Sequence, residues 1–476
     1  MHAARALNRL AAGLLVAFAL VALAAAYWAI VGPDTILTRA DNPRLVEAEA
    51  SIVRGDIVDW RGNVLATSAL GDGSQFPQRV YPHPATSSVT GYASLRYGVG
   101  GAEAAYNAAL RGDTLPNDLW NTLSAGLLHR PQRGSDVRLT LDLAVQQTLA
   151  AALDGRSGAA VVLAVPSGAV LGLASAPTFD PNTLEAAWQA LVADPGRPFF
   201  NRALQGAYQP GGVMQTPMLA AGLIDGQPLE QPIGGGAAAV EVAGVTLTCA
   251  VRLPFDALTL SAAYGFACPE PFRQLALALG PEAIQATFEM FHFYDPPALA
   301  GFAARARAAD AAPTVTAVTA DNLAEMALGQ SSIVVSPLEA AAIAAAVIND
   351  GNAPQPYLLA ETRAPGADDW IAARDVRPTL PYITAATARQ LQDLMRGAVA
   401  QGAALNAARP GLDIGGHAAL AYAGDSAQAW FVGFATLPGL RGLAVAVVLE
   451  DSRDPGLAAD IGGQALAVAH QSLTGN

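Results

Sequence analysis

The chain contains no lysine, because all 27 of its lysine-or-arginine positions are arginine. This excludes a phosphate-binding loop that needs a lysine on the nucleotide phosphates. It also excludes any mechanism in which a lysine amine serves as base or nucleophile. A genome rich in G and C, which favours arginine and alanine codons, accounts for the general deficit. It does not account for positions where the positive charge itself is missing.

Basic character is also scarce, since the 476 residues carry a formal net charge of −13 and a pI near 4.9. Nucleic acid is disfavoured as a partner, because its phosphates require a basic protein surface. The six histidines are scattered without metal-ligand spacing, so neither a zinc site nor any other cofactor is predicted. A hydrophobic content of 52% instead indicates a packed protein of two or three domains.

Only two cysteines are present, Cys249 and Cys268. Their spacing matches no metal-site pattern. On the oxidising side of a membrane they could form a disulfide that closes a short loop, and two buried free thiols are the equal alternative.

Charge is absent from the apolar run between Leu10 and Val31, which is long enough to cross a bilayer. Cleavage as a signal peptide after Ala24–Ala26 is the alternative. Arg5 and Arg9 precede the run, and positive charge favours the cytoplasmic side. We therefore expect a single-pass membrane protein with a cytoplasmic tail at 1–9, a transmembrane helix at 10–32 and the remainder outside the cell membrane.

The segment that follows the span contains two blocks with recognisable patterns. Residues 54–68, RGDIVDWRGNVLATS, predict a β-hairpin with its turn at Gly62-Asn63. Residues 81–112 end in a stretch with helical spacing, Ala102 to Arg111. These blocks resemble the RGxIxDRxGxxLA and YPxGxxxxHxxGYxxxxYGxxGxExxYxxxLxG signatures of class B penicillin-binding proteins. In that family they form an elongated pedestal, which we expect at residues 33–135.

The rest of the chain, 136–476, resembles the transpeptidase domain of the same family. Two apolar strands hinge at Pro166-Ser167-Gly168 and match GAxVALDPxTGxVLALASxPxFDPN, and residues 428–451 match the AWFxGFAPxxxPxxAVAVVVE hairpin. The resemblance implies an α/β (α+β) fold like that of serine β-lactamases. A central antiparallel sheet flanked by helices should stand on a β-rich pedestal, preceded by one transmembrane helix.

Residues 201–216, NRALQGAYQPGGVMQT, resemble the family's active-site segment NRAxxGxYxPGSxFKP. In the family, serine is the acylated nucleophile and lysine activates it. The corresponding residues are Gly212, which has no side-chain oxygen, and Gln215, whose amide does not titrate near neutrality. A serine–lysine mechanism therefore cannot operate at these positions.

The two remaining motifs of the family are changed as well. Its SxN motif aligns with Ala267-Cys268-Pro269, ahead of the helix sequence FRQLALALG. Its KTG motif aligns with Gly416, His417 and Ala418, ahead of AWFVGFA. We expect His417 to be a half-exposed structural histidine.

The family's oxyanion hole consists of backbone N–H groups, carried here by Gly212 and Ala419, and it could still bind a carbonyl. Since all three motifs are altered together, the sequence predicts a protein that is not an enzyme, a pseudoenzyme of the D,D-transpeptidase family in peptidoglycan synthesis. It would act as a scaffold or regulator of a cell-wall synthase, with a SEDS-type glycan polymerase as the partner class. A noncovalent sensor of peptidoglycan stem peptide or β-lactam is one alternative. The other is an active D,D-transpeptidase with a non-standard nucleophile.

Overall fold

The computed structural model describes residues 2–30, 47, 49–71, 75–114, 131–254, 257–304, 317–373 and 379–475. The strands in this part of the chain are β1 Ile57–Val58, β2 Val64–Leu70, β3 Pro77–Val80, β4 Tyr92–Ser94, β5 Gly98–Gly100, β6 Asp136–Leu139, β7 Gly158–Val165, β8 Val170–Ala176, β9 Val240–Val242, β10 Val245–Leu247, β11 Asn352–Ala353, β12 Leu359–Arg363, β13 Ile371–Ala372, β14 Leu380–Pro381, β15 Ile414–Ala423, β16 Ser426–Leu437 and β17 Leu440–Leu449.

The α-helices in the same part of the chain are α1 His2–Ile30, α2 Ser87–Thr90, α3 Ala102–Ala105, α4 Asn107–Arg111, α5 Leu143–Ala152, α6 Leu184–Ala193, α7 Arg202–Gln205, α8 Gln215–Asp225, α9 Leu260–Gly265, α10 Pro269–Met290, α11 Leu323–Ala327, α12 Pro337–Ile348, α13 Ala385–Gln401 and α14 Pro455–Thr474.

The first helix, α1, is long and apolar enough to cross a membrane, and its most apolar window is Asn8–Ala25. The predicted span at 10–32 therefore begins inside α1 and extends past its last residue, Ile30. Residues 31 and 32 lie outside the described part of the chain.

A five-stranded antiparallel sheet with the order β15-β16-β17-β7-β8 forms the centre of the larger domain. Helices α14 and α5 pack on one face, and α12 packs on the other. Successive side chains of a strand point to opposite faces, so Val162 and Phe431 join the α14 side while Val161 and Trp430 join the α12 side. Because both faces are covered, the strands are almost continuously apolar.

Every residue of helix α12 is buried, and six of its twelve residues are alanine. The helix starts at a capping box, in which the Ser336 side chain accepts from the Glu339 N–H and the Glu339 carboxylate accepts from the Ser336 N–H. Small side chains let this helix lie close against the sheet, which fixes one wall of the domain.

The pedestal is built on a six-stranded mixed sheet with the order β13-β12-β6-β1-β2-β3. Strand β1 pairs antiparallel with β2, as the hairpin pattern predicts, and parallel with β6. Strands β6, β12 and β13 come from the part of the chain assigned to the transpeptidase-like domain. The sheet thus continues across the predicted boundary at 135/136, which motif matching had no means to detect.

The stretch from Ala102 to Arg111 is helical, but it forms two short helices, α3 and α4, instead of one. Tyr106 lies between them with φ −114° and ψ 22°, outside the helical region. Its ring packs edge-on against Phe302, with 6.2 Å between the ring centroids. Helical spacing continues through Tyr106, so the pattern alone could not predict this break.

Candidate active site

The segment that resembles the family's nucleophile motif forms a 3-10 turn, Gly211–Met214, that runs directly into α8. Backbone hydrogen bonds to residues 329 and 335 hold the turn in place. Tyr208 exchanges a pair of bonds with Val335, and the Gly211 N–H donates to the Gly329 carbonyl over 3.0 Å. These contacts fix Gly212 and Gln215 at the edge of the central sheet.

An ion pair with a buried arginine supports the same segment. The Arg202 guanidinium donates to the Glu450 carboxylate over 2.9 Å, and the Tyr208 hydroxyl donates to the same oxygen over 2.7 Å. The side chain of Arg202 is 4% exposed and that of Glu450 is 25% exposed, and the pair joins α7, which precedes the turn, to the residue that follows β17. Burial and the neighbouring carboxylate raise the pKa of Tyr208, which therefore stays protonated.

Ala267, Cys268 and Pro269 form the junction between α9 and α10. Ala267 has φ +52°, a left-handed conformation that is unfavourable for a residue with a Cβ. Cys268 occupies the N-cap position of α10, and Pro269 is its first residue, where a missing N–H costs nothing. The Gln215 side chain donates to the Cys268 carbonyl over 3.4 Å, which connects this junction to the first motif.

Strand β15 carries Gly416, His417, Ala418 and Ala419. Successive residues of a strand point to opposite faces, so these positions do not all face the turn. His417 and Ala419 face the 3-10 turn, since the His417 ring contacts the Gly212 carbonyl and a Cβ on Gly212 would meet Ala419. Gly416 faces the other side, where a Cβ would lie 2.3 Å from the Phe431 ring. Ala418 packs in the core on that same side. The structure therefore brings only His417 and Ala419 of this group to the turn.

Five of the predicted positions line one cavity of only about 20 Å³. Its lining includes Gly212, Gln215, Ala267, Pro269 and Ala419. A Cβ placed on Gly212 would lie 2.4 Å from the Ala419 Cβ, far inside van der Waals contact. Strand β15 therefore lies directly against the turn, and the cleft between them is closed.

The prediction that His417 is half-exposed is wrong, because only 1% of its surface is exposed. Its ring stacks on Tyr264 at 4.3 Å between centroids, and its Nε2 donates to the Gly212 carbonyl over 3.1 Å. Burial lowers the pKa of His417 to about 4, so the ring is neutral at physiological pH. Its Nδ1 is buried and has no hydrogen-bond partner among the described residues. The histidine thus fastens β15 to the turn.

Cys249 and Cys268 are joined by a disulfide, which selects between the two alternatives that the sequence leaves open. The bond connects the junction before α10 to the segment that follows β10. Leu247, Thr248 and Ala250, which flank Cys249, line the same small cavity. Within the described residues, no group of three or more His, Cys, Asp or Glu side chains is arranged to hold a metal ion.

Two contributors to this site carry no signal in the sequence. Tyr264 stacks on His417, and Glu450 neutralises Arg202. Each lies far along the chain from its partner, and neither belongs to the motif that it supports. Only a known three-dimensional arrangement could have identified them.

Two family models match the chain. The penicillin-binding protein transpeptidase domain matches residues 158–472, and the penicillin-binding protein A dimerisation domain matches residues 54–137. The first match spans well over half of the chain. The chain belongs to the penicillin-binding protein transpeptidase family. The predicted fold class and the resemblance to class B penicillin-binding proteins are confirmed.

Relatives match over nearly the whole length. The peptidoglycan D,D-transpeptidase PbpA of Mycolicibacterium smegmatis is 30% identical, over 97% of this chain and 98% of its own. Among solved structures, the imipenem acyl-enzyme complex of penicillin-binding protein A from M. tuberculosis has a TM-score of 0.76 at 28% identity, covering 88% of this chain and 99% of that one. A D,D-transpeptidase domain from Eggerthella lenta has a TM-score of 0.74 at 28% identity, with coverages of 90% and 99%.

These relatives correct one prediction. The altered motifs predict a chain that is not an enzyme, whereas the relatives matched over 97–98% of the chain are named peptidoglycan D,D-transpeptidases and point to an enzyme. The expectation was wrong because it considered three short motifs alone, while the similarity extends over the whole penicillin-binding protein.

Proposed function

We propose that this penicillin-binding protein works in peptidoglycan synthesis at the outer face of the cell membrane, where its span and pedestal hold it as a scaffold or regulator against a cell-wall synthase. A polytopic glycan polymerase of the SEDS type is the expected partner class. The N-terminus lies in the cytoplasm, and both folded domains lie outside. The proposal concerns noncovalent contacts and is independent of the chemistry in the cleft.

The observation that carries this proposal is the construction of the pedestal. Glu103 is fully buried and accepts hydrogen bonds from both Arg54 and Arg79, at 2.7 Å and 2.6 Å. Buried charges are tolerated only when they are paired and hydrogen-bonded, and they are then held in one geometry. Such a network supports a rigid pedestal, as a docking element requires.

The surface of the pedestal also supports a partner. Leu70 and Leu95 are 72% and 63% exposed, Leu70 pairs with Pro77 of β3, and Leu95 lines the same groove as Pro77. Exposed apolar side chains near one another are typical of protein interaction sites. We therefore place the contact on the β2–β3 side of the pedestal.

Isolation of the full-length protein from membranes tests the proposal. We expect a cell-wall synthase to co-purify, and we expect Leu95→Arg to reduce its recovery by about tenfold. Leu277→Arg is the matched control, because Leu277 is 53% exposed but lies on α10, away from the pedestal. Recovery of no synthase, or an equal loss with both variants, would contradict the proposal.

D,D-transpeptidation is a second candidate, favoured by the names of the full-length relatives. For this candidate we propose the backbone N–H groups of Gly212 and Ala419 as the oxyanion hole. Gly212 supplies no nucleophile, and the hydroxyl-bearing side chains that line the small cavity are Thr248 and Tyr422.

Fluorescent penicillin and a stem pentapeptide test this candidate. A covalent adduct whose site is mapped by mass spectrometry, together with release of D-alanine, would support transpeptidation. Loss of the adduct in Thr248→Val but not in Tyr422→Phe, or the reverse, would identify the attacking hydroxyl. Saturable binding without an adduct would instead favour a noncovalent sensor.

A further inference from the structure

A groove of about 410 Å³ lies between the pedestal and the transpeptidase-like domain, and it shares no lining residue with the small cavity beside Gly212. Strands β3 and β4 form its pedestal side, and residues at the start of α6 and just before it form the other side. Asn182 joins the two sides, because its amide donates to the Tyr81 carbonyl and its Oδ1 accepts from the Tyr81 N–H, each over 2.9 Å. Both domains therefore build the groove, and its volume is that of a small-molecule site.

The groove is lined by two arginines that share one carboxylate. Arg54 and Arg79 both pair with Glu103, which is fully buried. Tyr81, whose hydroxyl also donates to Glu103, adds no charge, since burial and that carboxylate raise its pKa. Two guanidinium groups and one carboxylate leave this cluster with one positive charge in excess. A buried charge without a counter-charge is unfavourable, so an anion that reaches the cluster should be stabilised.

Arg79 also has one guanidinium nitrogen that is not used. Its Nε donates to Glu103 over 2.6 Å, and its Nη1 donates to the Gly55 carbonyl over 2.9 Å and to the Ser68 hydroxyl over 3.2 Å. Its Nη2 is buried and has no hydrogen-bond partner among the described residues. Only 6% of the side chain is exposed, so water satisfies little of this donor. A buried donor without an acceptor is costly, and an acceptor oxygen from a ligand would remove that cost.

The acidic side chains of the groove restrict the kind of anion. Glu49 is already paired with Arg111, and the Glu185 carboxylate accepts from the Ser94 hydroxyl. Glu185 is exposed, so water and salt screen its repulsion of a single negative charge. A doubly charged phosphate would be repelled about twice as strongly, because Coulomb energy is proportional to charge. The groove therefore favours a singly charged carboxylate.

The walls beside the arginines are apolar. Pro77 and Leu95 line the pedestal side, and Leu184 lines the side formed by α6. Contact with such walls removes apolar surface of a ligand from water, which stabilises a carboxylate that is carried on an apolar stem.

We propose that this groove binds a carboxylate on a short apolar stem, and that the Arg79 Nη2 donates to it. A free organic acid and the carboxyl end of a peptide both carry this group. Because the walls belong to both domains, the bound ligand would also link the pedestal to the transpeptidase-like domain. The inference does not rest on the proposed function.

Saturation-transfer NMR of the full-length protein in detergent tests the site, with butyrate as the probe of a free acid and N-acetylalanylalanine as the probe of a peptide end. At fixed ionic strength we expect saturable transfer to at least one probe, with a dissociation constant on the order of 1–10 mM, as is usual for such small ligands. The probe that binds more tightly identifies the source of the carboxylate. Arg79→Met should weaken binding by about tenfold or more, since a hydrogen bond between charged groups is lost.

Hydrogen exchange followed by mass spectrometry locates the bound probe. Exchange should slow in peptides covering 77–81 and 93–99, which line the groove, and should not change in β17. Slowing in β17 without slowing in the two groove peptides would overturn the assignment.

A second pair of variants covers the case in which Arg79→Met does not fold. Glu185→Gln removes an exposed carboxylate from the groove and should tighten binding by about twofold. Glu282→Gln is the matched control, because Glu282 is exposed on α10 and does not line the groove.

Four results would overturn the proposal. They are transfer that does not saturate, equal transfer to the neutral amide butyramide, displacement of butyrate by inorganic phosphate at an equal concentration, and equal effects of Glu185→Gln and Glu282→Gln. The purified protein is used alone, so failure of a synthase to co-purify would leave this test unaffected.

Discussion

The core of the pedestal and the contact between Gly212 and β15 are held together by different means. In the pedestal, two arginines converge on the fully buried carboxylate of Glu103. In the cleft, Gly212, Ala267 and Ala419 have no charge, and β15 lies so close to the turn that a Cβ on Gly212 would meet the Ala419 Cβ at 2.4 Å. A buried ion pair holds a geometry, and removal of one partner lowers the free energy of unfolding strongly. Close packing of small residues holds a geometry because no space is left for a larger side chain. The two regions should therefore respond differently to substitution.

The largest effect is expected in the pedestal. Glu103→Ala leaves the guanidinium groups of Arg54 and Arg79 buried without their carboxylate, and we expect the free energy of unfolding to fall by about 3–5 kcal/mol. Urea denaturation measures the loss. Glu103→Gln, which keeps the size and one acceptor oxygen, should lose less. Equal values for the two variants would show that the charge does not decide the stability of this region.

Removal of the disulfide tests how much the crosslink beside the cleft stabilises the fold, because it raises the conformational entropy of the unfolded chain. The two cysteines are 19 residues apart, and a crosslink over such a loop stabilises a fold by about 3 kcal/mol. We expect the Cys249→Ser, Cys268→Ser variant to lose that amount in urea denaturation under non-reducing conditions. A loss below about 1 kcal/mol would mean that packing alone holds the segment around Cys249 in place.

The buried histidine should make stability depend on pH. In the unfolded chain His417 binds a proton below its ordinary pKa of 6.5, whereas in the folded protein it does so only below about 4. Between these values the unfolded state holds the extra proton, so stability falls as the pH is lowered, by about 3 kcal/mol at most. Denaturation at pH 7 and pH 4.5 should show a smaller loss for His417→Gln than for the unchanged protein, and identical losses would refute the burial argument.

A smaller effect is expected at the point of closest approach in the cleft. Gly212→Ser places a Cβ 2.4 Å from that of Ala419, and overpacking of this kind costs about 1–3 kcal/mol. Ala419→Gly in the same chain should recover most of the loss in thermal denaturation. Gly397→Ser is the control, because a Cβ on Gly397 meets no atom within 4 Å. A loss that Ala419→Gly does not recover would show that it does not come from this contact, and no loss in Gly212→Ser would show that β15 has room to move aside.

Local patterns in the sequence predict the central sheet well. The strands around Pro166-Ser167-Gly168 form β7 and β8, and the AWFVGFA segment lies on β16 with β17 as its antiparallel neighbour. The hairpin predicted within residues 54–68 also forms, but its turn runs from Asp59 to Gly62, where the Gly62 N–H donates to the Asp59 carbonyl, and is not centred on Gly62-Asn63. These elements are decided by residues that are adjacent along the chain, so alternation and turn residues contain the necessary information.

Contacts between distant parts of the chain are not predictable in this way. Motif spacing places Gly416, His417 and Ala418 together, but the pleat of β15 sends the first and the last to the opposite face of the sheet. The burial of His417 depends on Tyr264, which lies on another element. The closed state of the cleft likewise depends on the distance between two backbones, which no pattern of residue types reports.

Because the mixed sheet of the pedestal includes strands from both parts of the chain, neither part is expected to fold well as a separate fragment. Strand β6 lies between β1 and β12, so the backbone hydrogen bonds of the first domain are completed by residues that follow it in the chain. A fragment that stops before Asp136 would lose the neighbour of β1, and a fragment that starts after Leu139 would leave β12 with a bare edge. Each half is therefore expected to aggregate or to unfold when it is expressed without the other.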